Sequence, residues 1–225
     1  MIKIAHRGAS GYAPENTLLS FQKALEMGVG AIELDVHLSA DEVLVVIHDP
    51  TLDRTTNGTG LVHDFLLSDL KKLQVEGHQS IPTLSQVLDL IDKKCLVHIE
   101  LKAKQTPKAV VELIIDYIKN KNWTYDLFSV SSFDWKLLEE IKALDPAISC
   151  GVLTETSIDK ALVFAKKIQA KSIHPDFKLL TSENVKQIKQ AGFQILAWTV
   201  NDPEAISYMR FLGVEGVFCN YPDRL

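Results

Sequence analysis

Hydrophobic residues along the chain fall into two alternating patterns. Short apolar runs of four to eight residues, rich in Ile, Val and Leu, are typical of buried strands. Longer segments place Leu and Ile three and four positions apart, which is the period of an amphipathic helix. The strand-like runs are 2–6, 31–38, 96–101, 127–132, 148–154, 172–175, 194–200 and 216–220, and the helix-like segments are 15–27, 84–93, 108–121, 134–144, 158–169, 182–190 and 203–212.

Residues at the ends of these segments support the helix assignment. Gly28, Gly192 and Gly213 directly follow three of the segments or lie just beyond them, and glycine is the usual residue after a helix. Thr83 and Asp202 directly precede the segments 84–93 and 203–212, where a short polar side chain can cap the first turn. The sequence therefore predicts both the type of these elements and their approximate bounds.

Eight strands that alternate with helices predict an α/β fold, because parallel strands need crossover connections. An open doubly wound sheet and a closed (β/α)8 TIM barrel both fit the alternation, and eight units in a chain of 225 residues favour the barrel. Only YPDRL follows the last predicted strand, so we expect a stunted or absent last helix. A chain of this length is expected to form a single domain over residues 1–225.

Residues 41–82 interrupt the alternation. They contain an extra strand-like run, VLVVIHD, then a loop rich in Thr, Asn and Gly, and a short helical piece near 68–75. We interpret this segment as a small insertion after the second strand, too short for an independent core.

Composition and charge exclude several classes of protein. A net charge of −5 and a pI near 5.8 argue against nucleic acid as a partner, since phosphate binding needs a basic surface. No run approaches the roughly 18 apolar residues that cross a membrane, and MIKIAHRGAS lacks the pattern of a signal peptide. The three widely spaced cysteines form no disulfide framework. We therefore expect a cytoplasmic protein.

Carboxylates cluster where a barrel would carry its chemistry, at the carboxyl ends of strands. Glu33 and Asp35 lie two residues apart on the second strand and share a face, and Glu100 has the matching place on the third. Three carboxylates in one barrel mouth would repel each other unless a cation lay between them. All-oxygen ligation suits one divalent ion, Mg²⁺ or Ca²⁺, with Mn²⁺ as an alternative. The competing interpretation is that some of these side chains point outward and cap helices.

Histidines and cations complete the candidate site. His6 ends the first strand and His48 ends the extra strand of the insertion, and two imidazoles beside a metal suit acid–base catalysis near neutral pH. Arg7 and Lys102 could neutralise surplus carboxylate charge or bind a phosphate. Strict alternation from an inward His6 would turn Arg7 outward, so a break in the strand at Gly8 is needed to bring Arg7 into the site.

The sequence resembles the glycerophosphodiester phosphodiesterase family over essentially its whole length. Two departures are small: Cys219-Asn220 stands where many members carry Thr-Asp, and the C-terminus is abrupt. The stretches that carry the resemblance are HRGASGYAPENTLLSFQKALEMGVGAIELDV at 6–36, VLVVIHDPTLDRTTNGTG at 43–60, IPTL at 81–84, HIELK at 98–102, SSFD at 131–134, AWTVN at 197–201 and GVFCNYPD at 216–223.

The resemblance implies a (β/α)8 barrel that hydrolyses small-molecule glycerophosphodiesters to glycerol 3-phosphate and an alcohol such as choline or ethanolamine. The attacking group would be water or the substrate's own glycerol hydroxyl, and either histidine could act as the acid. The implied roles are metal ligation by Glu33, Asp35 and Glu100, acid–base catalysis by His6 and His48, phosphate contact by Arg7 and Lys102, and a pocket wall from Trp198.

Three other functions are compatible with such a site. Phospholipase D-type cleavage of lysolipids would need an apolar entrance, and the polar DRTTNGTG segment of the insertion argues against one. A barrel that binds phosphodiesters without turnover should have lost a histidine or a metal ligand, and none is missing. A metal-dependent lyase or isomerase would use the same carboxylates on a carboxylate or carbonyl substrate.

Overall fold

The computed structural model describes all 225 residues. Its strands are β1 (Ile2–Ala5), β2 (Ala31–Leu38), β3 (Leu44–Val46), β4 (Leu96–Leu101), β5 (Phe128–Ser132), β6 (Ser149–Thr154), β7 (Ser172–Pro175), β8 (Gln194–Ala197) and β9 (Gly216–Cys219). Its α-helices are α1 (Leu18–Glu26), α2 (Leu67–Leu70), α3 (Leu84–Ile91), α4 (Thr106–Asn120), α5 (Trp135–Leu144), α6 (Ile158–Ile168), α7 (Ser182–Gln190) and α8 (Pro203–Leu212).

Eight of the strands close into a parallel barrel in the order β1-β2-β4-β5-β6-β7-β8-β9. Closure is visible at Ile4 of β1, which pairs with Ala31 of β2 on one side and with Phe218 of β9 on the other. The helices that connect successive strands bury their apolar faces against the outside of the sheet, in a cluster of 48 buried residues. The predicted TIM barrel is confirmed, and the open-sheet alternative is wrong.

Inside the barrel, beneath its mouth, two histidines pack among apolar side chains. His98 of β4 and His174 of β7 have ring centroids 5.5 Å apart and both contact the ring of Phe218. Burial lowers the pKa of His98 to about 3 and also lowers that of His174 well below its usual value, so both rings are neutral. His174 Nε2 lies 2.8 Å from the hydroxyl of Ser172. These histidines fill the barrel interior and do not line its mouth.

The insertion after β2 extends the barrel rim on one side. Its strand β3 pairs antiparallel with the end of β2, and the backbone N–H of Ile47 donates to the carbonyl of Asp35 at 3.0 Å. Seven buried apolar residues form a small cluster within the insertion and at its edges. The consequence is that His48, directly after Ile47, is delivered beside the carboxyl end of β2.

After β9 the chain forms only a 3₁₀ turn, Pro222–Arg224, in agreement with the prediction of a stunted last helix. This turn packs on the loop after β1: the rings of Tyr12 and Tyr221 meet edge to face at 5.3 Å, and Arg224 lies over the Tyr221 ring. None of the helices combines the length and apolar character needed to cross a membrane. The single domain and the cytoplasmic location expected from the sequence stay predictions.

Candidate active site

A cavity of about 220 Å³ opens at the carboxyl ends of the barrel strands. Asp35 has no exposed surface and contacts Arg7 and Lys102. The remaining predicted site residues all line the cavity: His6, Arg7, Glu33, His48, Glu100, Lys102 and Trp198. The structure therefore brings together every residue that the sequence singled out.

The three carboxylates point into one small volume, because β2 and β4 are neighbours in register. Asp35 pairs with Glu100 across these strands, and Glu33 lies two residues earlier on the same face of β2. One ligand oxygen from each carboxylate can be chosen so that all lie within 4.8 Å of one another. The alternative interpretation, in which some of these side chains point outward to cap helices, does not hold.

Crowding and burial perturb the ionisation of this cluster. Burial, with the nearby charges of Asp35 and Glu100, raises the pKa of Glu33 well above its usual value. Burial and the charge of Asp35 likewise raise the pKa of Glu100 to about 7. Burial opposes ionisation of Asp35 too, but Lys102 and Arg7 outweigh it and lower the pKa of Asp35. The site thus concentrates negative charge that its own cations only partly neutralise.

Two carboxylate oxygens in the cluster accept no hydrogen bond. Oε2 of Glu33 accepts a 2.8 Å hydrogen bond from the backbone N–H of Arg7, and Oδ2 of Asp35 accepts one of 2.8 Å from the amide of Asn16. The other oxygens, Oε1 of Glu33 and Oδ1 of Asp35, are buried and accept no hydrogen bond. Leaving such oxygens unpaired costs free energy, whereas ligation by a hard cation would satisfy them. This donor set fits one divalent metal ion.

The backbone leaves the extended conformation immediately after His6, as the position of Arg7 requires. Arg7 has φ +57° and Gly8 has φ +80°, both in the left-handed region, so alternation stops at the end of β1. A Cβ on Gly8 would lie 2.4 Å from the hydroxyl oxygen of Ser20, which leaves no room for any side chain. This turn rotates Arg7 from the outside of the barrel into its mouth.

Two cationic side chains, those of Arg7 and Lys102, flank the carboxylates. Nε of Arg7 lies 3.4 Å from Oδ2 of Asp35, and its Nη1 donates to Glu15 at 2.9 Å. Nζ of Lys102 donates to Oε1 of Glu100 at 2.7 Å and lies 3.5 Å from Oδ1 of Asp35. Each cation has N–H groups beyond those that these contacts use, so each can also bind an anion in the cavity.

His6 is held as a neutral ring with a defined tautomer. Its Nδ1 lies 2.7 Å from Oδ1 of Asn220, directly after β9. Burial and the charge of Arg7 lower the pKa of His6 to about 4. Because the amide oxygen of Asn220 can only accept, Nδ1 carries the proton and Nε2 keeps its lone pair. His6 is therefore equipped to take up a proton at neutral pH.

His48 has a different partner. Its Nδ1 lies 2.6 Å from Oδ1 of Asp49, and the guanidinium of Arg54 bonds both oxygens of that carboxylate at 2.6 and 3.0 Å. Hydrogen bonds from Arg54 and His48 keep the pKa of Asp49 below its usual value. Arg54 also donates twice to Glu15, at 2.7 and 3.0 Å. The insertion and the loop after β1 are thus joined across the mouth, with His48 oriented between them.

Comparison with known proteins identifies the family. The model of the glycerophosphoryl diester phosphodiesterase family matches residues 6–224. The chain belongs to this family. A glycerophosphodiester phosphodiesterase of Caldanaerobacter subterraneus subsp. tengcongensis is 38% identical over 99% of this chain and 95% of its own length. The predicted family and enzyme class are thereby confirmed.

Solved structures of phosphodiesterases share the barrel. An Oleispira antarctica phosphodiesterase in complex with the product sn-glycerol-3-phosphate superimposes with a TM-score of 0.90, at 32% identity, over 98% of this chain and 93% of that one. A glycerophosphodiester phosphodiesterase from Thermotoga maritima superimposes with a TM-score of 0.84, at 30% identity, over 99% of this chain and 96% of that one.

Trp198 forms one wall of the cavity of this family member. Its indole N–H donates to the carbonyl of His174 at 2.7 Å, which fixes the ring just beyond β8. The ring of Phe133 meets it edge to face at 5.3 Å. The apolar surface of Trp198 therefore faces the space beside the carboxylates.

Sequence reasoning missed several residues of the site. Six of them lie inside stretches that carried the family resemblance, and only Glu155 lies outside these stretches. Glu15, Asn16 and Asn220 each contact a partner that is distant in sequence, so no local pattern reveals the contact. Phe133 and Glu155 line the cavity. The missed residues are Glu15, Asn16, Asp49, Arg54, Asn220, Phe133 and Glu155.

Proposed function

We propose that this protein hydrolyses glycerophosphodiesters to glycerol 3-phosphate and an alcohol, using one divalent cation bound by Glu33, Asp35 and Glu100. The observation that carries the proposal is the pair of buried carboxylate oxygens on Glu33 and Asp35 that accept no hydrogen bond, beside a cavity that is lined by two histidines and two cations. The bound sn-glycerol-3-phosphate of the Oleispira antarctica phosphodiesterase, at 32% identity, supports the same class of substrate for this chain.

The cation, Mg²⁺ or Ca²⁺ with Mn²⁺ as an alternative, would supply Lewis-acid polarisation of a phosphoryl oxygen when bound. The chain itself would supply the remaining positive charge. Arg7 and Lys102, both already turned toward Asp35, would donate N–H groups to the other phosphate oxygens. Their contribution is electrostatic stabilisation of the charge that accumulates around phosphorus as the new bond forms.

His6 is best suited to act as the general base. With its proton on Nδ1, toward Asn220, Nε2 can accept the proton of the attacking hydroxyl, whether that hydroxyl is water or the glycerol hydroxyl of the substrate. A pKa of about 4 leaves almost no protonated ring at neutral pH, which argues against a role for His6 as the acid.

His48 is then the general acid. Asp49 accepts the hydrogen bond from Nδ1 and would stabilise positive charge on the ring, which is the arrangement that a proton donor needs. Nε2 would give its proton to the leaving alkoxide, such as that of choline or ethanolamine, and so complete the displacement. The opposite division of the two histidines is the alternative, and the choice of leaving group distinguishes them.

A substrate panel tests this function against its rivals. Purified protein is stripped with a chelator and assayed with and without Mg²⁺ on glycerophosphocholine, lysophosphatidylcholine, a nitrophenyl phosphodiester and a 2-hydroxy acid. We expect metal-dependent release of glycerol 3-phosphate and choline from the first substrate. Preference for lysophosphatidylcholine would indicate phospholipase D-type action, turnover of the hydroxy acid would indicate a lyase or isomerase, and binding without turnover would indicate an inert barrel.

A further inference from the structure

The cavity has a second wall that faces the phosphate-binding residues. In the barrel order, β6 is four strands from β1 in either direction, so the two strands lie across the mouth from each other. Glu155 directly follows β6 and lines the cavity, opposite Arg7, which is the second residue after β1. The aromatic residues Phe133, directly after β5, and Trp198, directly after β8, line the same cavity.

Glu155 differs from the other carboxylates of the cavity. Glu33 and Glu100 receive hydrogen bonds from Arg7 and Lys102, whereas Glu155 has no hydrogen-bond or ion-pair partner in the protein and its side chain is exposed. An unpaired carboxylate repels the phosphodiester anion that the proposed function requires to enter this cavity. That repulsion is offset if the substrate carries a positive charge of its own on this side.

The neighbouring rings suit such a charge. Phe133 and Trp198 stand at 89° to each other with centroids 5.3 Å apart, so they form a corner of two aromatic surfaces. Trp198 is fixed by its bond to the carbonyl of His174, and Phe133 is 43% exposed. Aromatic faces attract ammonium groups, and quaternary ammonium ligands are commonly held by several rings together.

We propose that Glu155, Phe133 and Trp198 form a subsite for a cationic headgroup. The subsite would make the enzyme prefer glycerophosphodiesters of amino alcohols, such as choline or ethanolamine, over those with a neutral headgroup. This inference rests on the proposed function, because it requires the phosphate to lie beside Arg7 and Lys102. The cavity would then match a zwitterionic substrate, with cations facing the phosphate and a carboxylate facing the ammonium group.

The Glu155→Gln variant tests the subsite, since it removes the charge and keeps the shape and a hydrogen-bond acceptor. kcat/KM is measured with Mg²⁺ for glycerophosphocholine, glycerophosphoethanolamine and the neutral-headgroup substrate glycerophosphoglycerol. For the two cationic substrates we expect a loss of about three- to tenfold, mainly in KM. Glycerophosphoglycerol should be hydrolysed as by the wild type. Glu112→Gln, on the exposed face of α4, is the matched control and should leave kcat/KM unchanged for all three substrates.

Ionic strength provides a second signature. Raising it to about 0.5 M should reduce the preference of the wild type for cationic headgroups, because an exposed charge is screened. The headgroup preference of Glu155→Gln should not change with ionic strength. An equal loss on all three substrates would assign Glu155 to the shared glycerol end and overturn the proposal. An unchanged preference in the variant would overturn it as well.

Binding of tetramethylammonium separates this proposal from the proposed function. Calorimetry should detect weaker binding to Glu155→Gln than to the wild type, whether or not any substrate is turned over. If the wild type cleaves none of the three diesters but binds tetramethylammonium through Glu155, the hydrolase proposal fails and the cation subsite stands. Equal binding to both proteins would overturn the subsite.

Discussion

Nε of Arg54 lies 2.6 Å from one oxygen of Asp49, and the other oxygen of that carboxylate lies 2.6 Å from Nδ1 of His48. Arg54 thus orients His48 without touching it. The same guanidinium holds Glu15 with two further hydrogen bonds, and Glu15 in turn accepts one from Arg7. One exposed arginine of the insertion therefore couples the position of a candidate proton donor to that of a candidate phosphate ligand.

Replacing Arg54 by Gln should reduce kcat about 10- to 100-fold, the range typical of groups that orient a site residue. KM should change less, because Arg54 does not line the inner cavity. Asp49→Asn should act in the same direction, since an amide can place the wrong tautomer on His48. Steady-state kinetics on glycerophosphocholine make the comparison, with the exposed Arg210→Gln of α8 as control. If Arg54→Gln keeps the kcat of the wild type, Arg54 does not orient His48.

The division of proton transfers between His6 and His48 predicts different responses to the leaving group. The choline alkoxide needs a proton to leave, whereas nitrophenolate leaves without one. His48→Ala should therefore lose about 10²–10⁴-fold on glycerophosphocholine and largely keep its activity on a nitrophenyl diester. His6→Ala should lose activity on both substrates. If the two variants respond alike, the histidines act as positioning or electrostatic groups, and if the pattern is reversed, so are the roles.

Hydrophobic periodicity predicted the barrel elements closely because each strand and helix is locally encoded. The segments 182–190 and 203–212 coincide with α7 and α8. The first helix was predicted from residue 15 but begins at Leu18. Asn16 has φ +57° and bonds the side chain of Asp35, so a contact with the neighbouring strand β2 keeps this stretch out of the helix.

In the candidate site, too, some features could be predicted from local sequence and others could not. Alternate residues of a strand share a face, and the barrel aligns the ends of neighbouring strands. The sequence therefore predicted that the carboxylates of Glu33, Asp35 and Glu100 lie close together. The partner of His6 could not be predicted, because Asn220 is 214 residues away and its side chain arrives only when β9 closes the barrel against β1. Contacts that depend on closure leave no periodic signal in the sequence.

Trp198→Ala should lower kcat/KM about tenfold by removing the apolar wall against which substrate packs. Its melting temperature should fall less than that of Trp135→Ala, the matched control. Trp135 also bonds a backbone carbonyl, that of Leu153, and stacks on Phe164, but it lies outside the cavity. A large loss of stability in Trp198→Ala with unchanged kinetics would assign Trp198 to the core instead.

His174 should make the fold sensitive to acid. Burial and the neighbouring His98 lower its pKa well below 6.5, so below about pH 6.5 the unfolded chain binds a proton that the folded protein excludes. The stabilisation from the neutral ring is complete above that pH and is lost as pH falls, by at most about 1.4 kcal/mol per pH unit. Urea unfolding between pH 8 and pH 5 should show a shallower decline for His174→Gln than for the wild type. Parallel declines would contradict the assignment.

The central claim is that Glu33, Asp35 and Glu100 hold one divalent cation on which turnover depends. The most direct measurement is a titration of chelator-stripped protein with Mg²⁺ or Mn²⁺, with metal binding followed by calorimetry and hydrolysis of glycerophosphocholine followed in parallel. We expect one equivalent to bind and activity to return with it. Glu33→Gln should bind more weakly yet stay folded, because lost ligation is accompanied by relief of carboxylate repulsion. Full activity after exhaustive chelation would contradict the account.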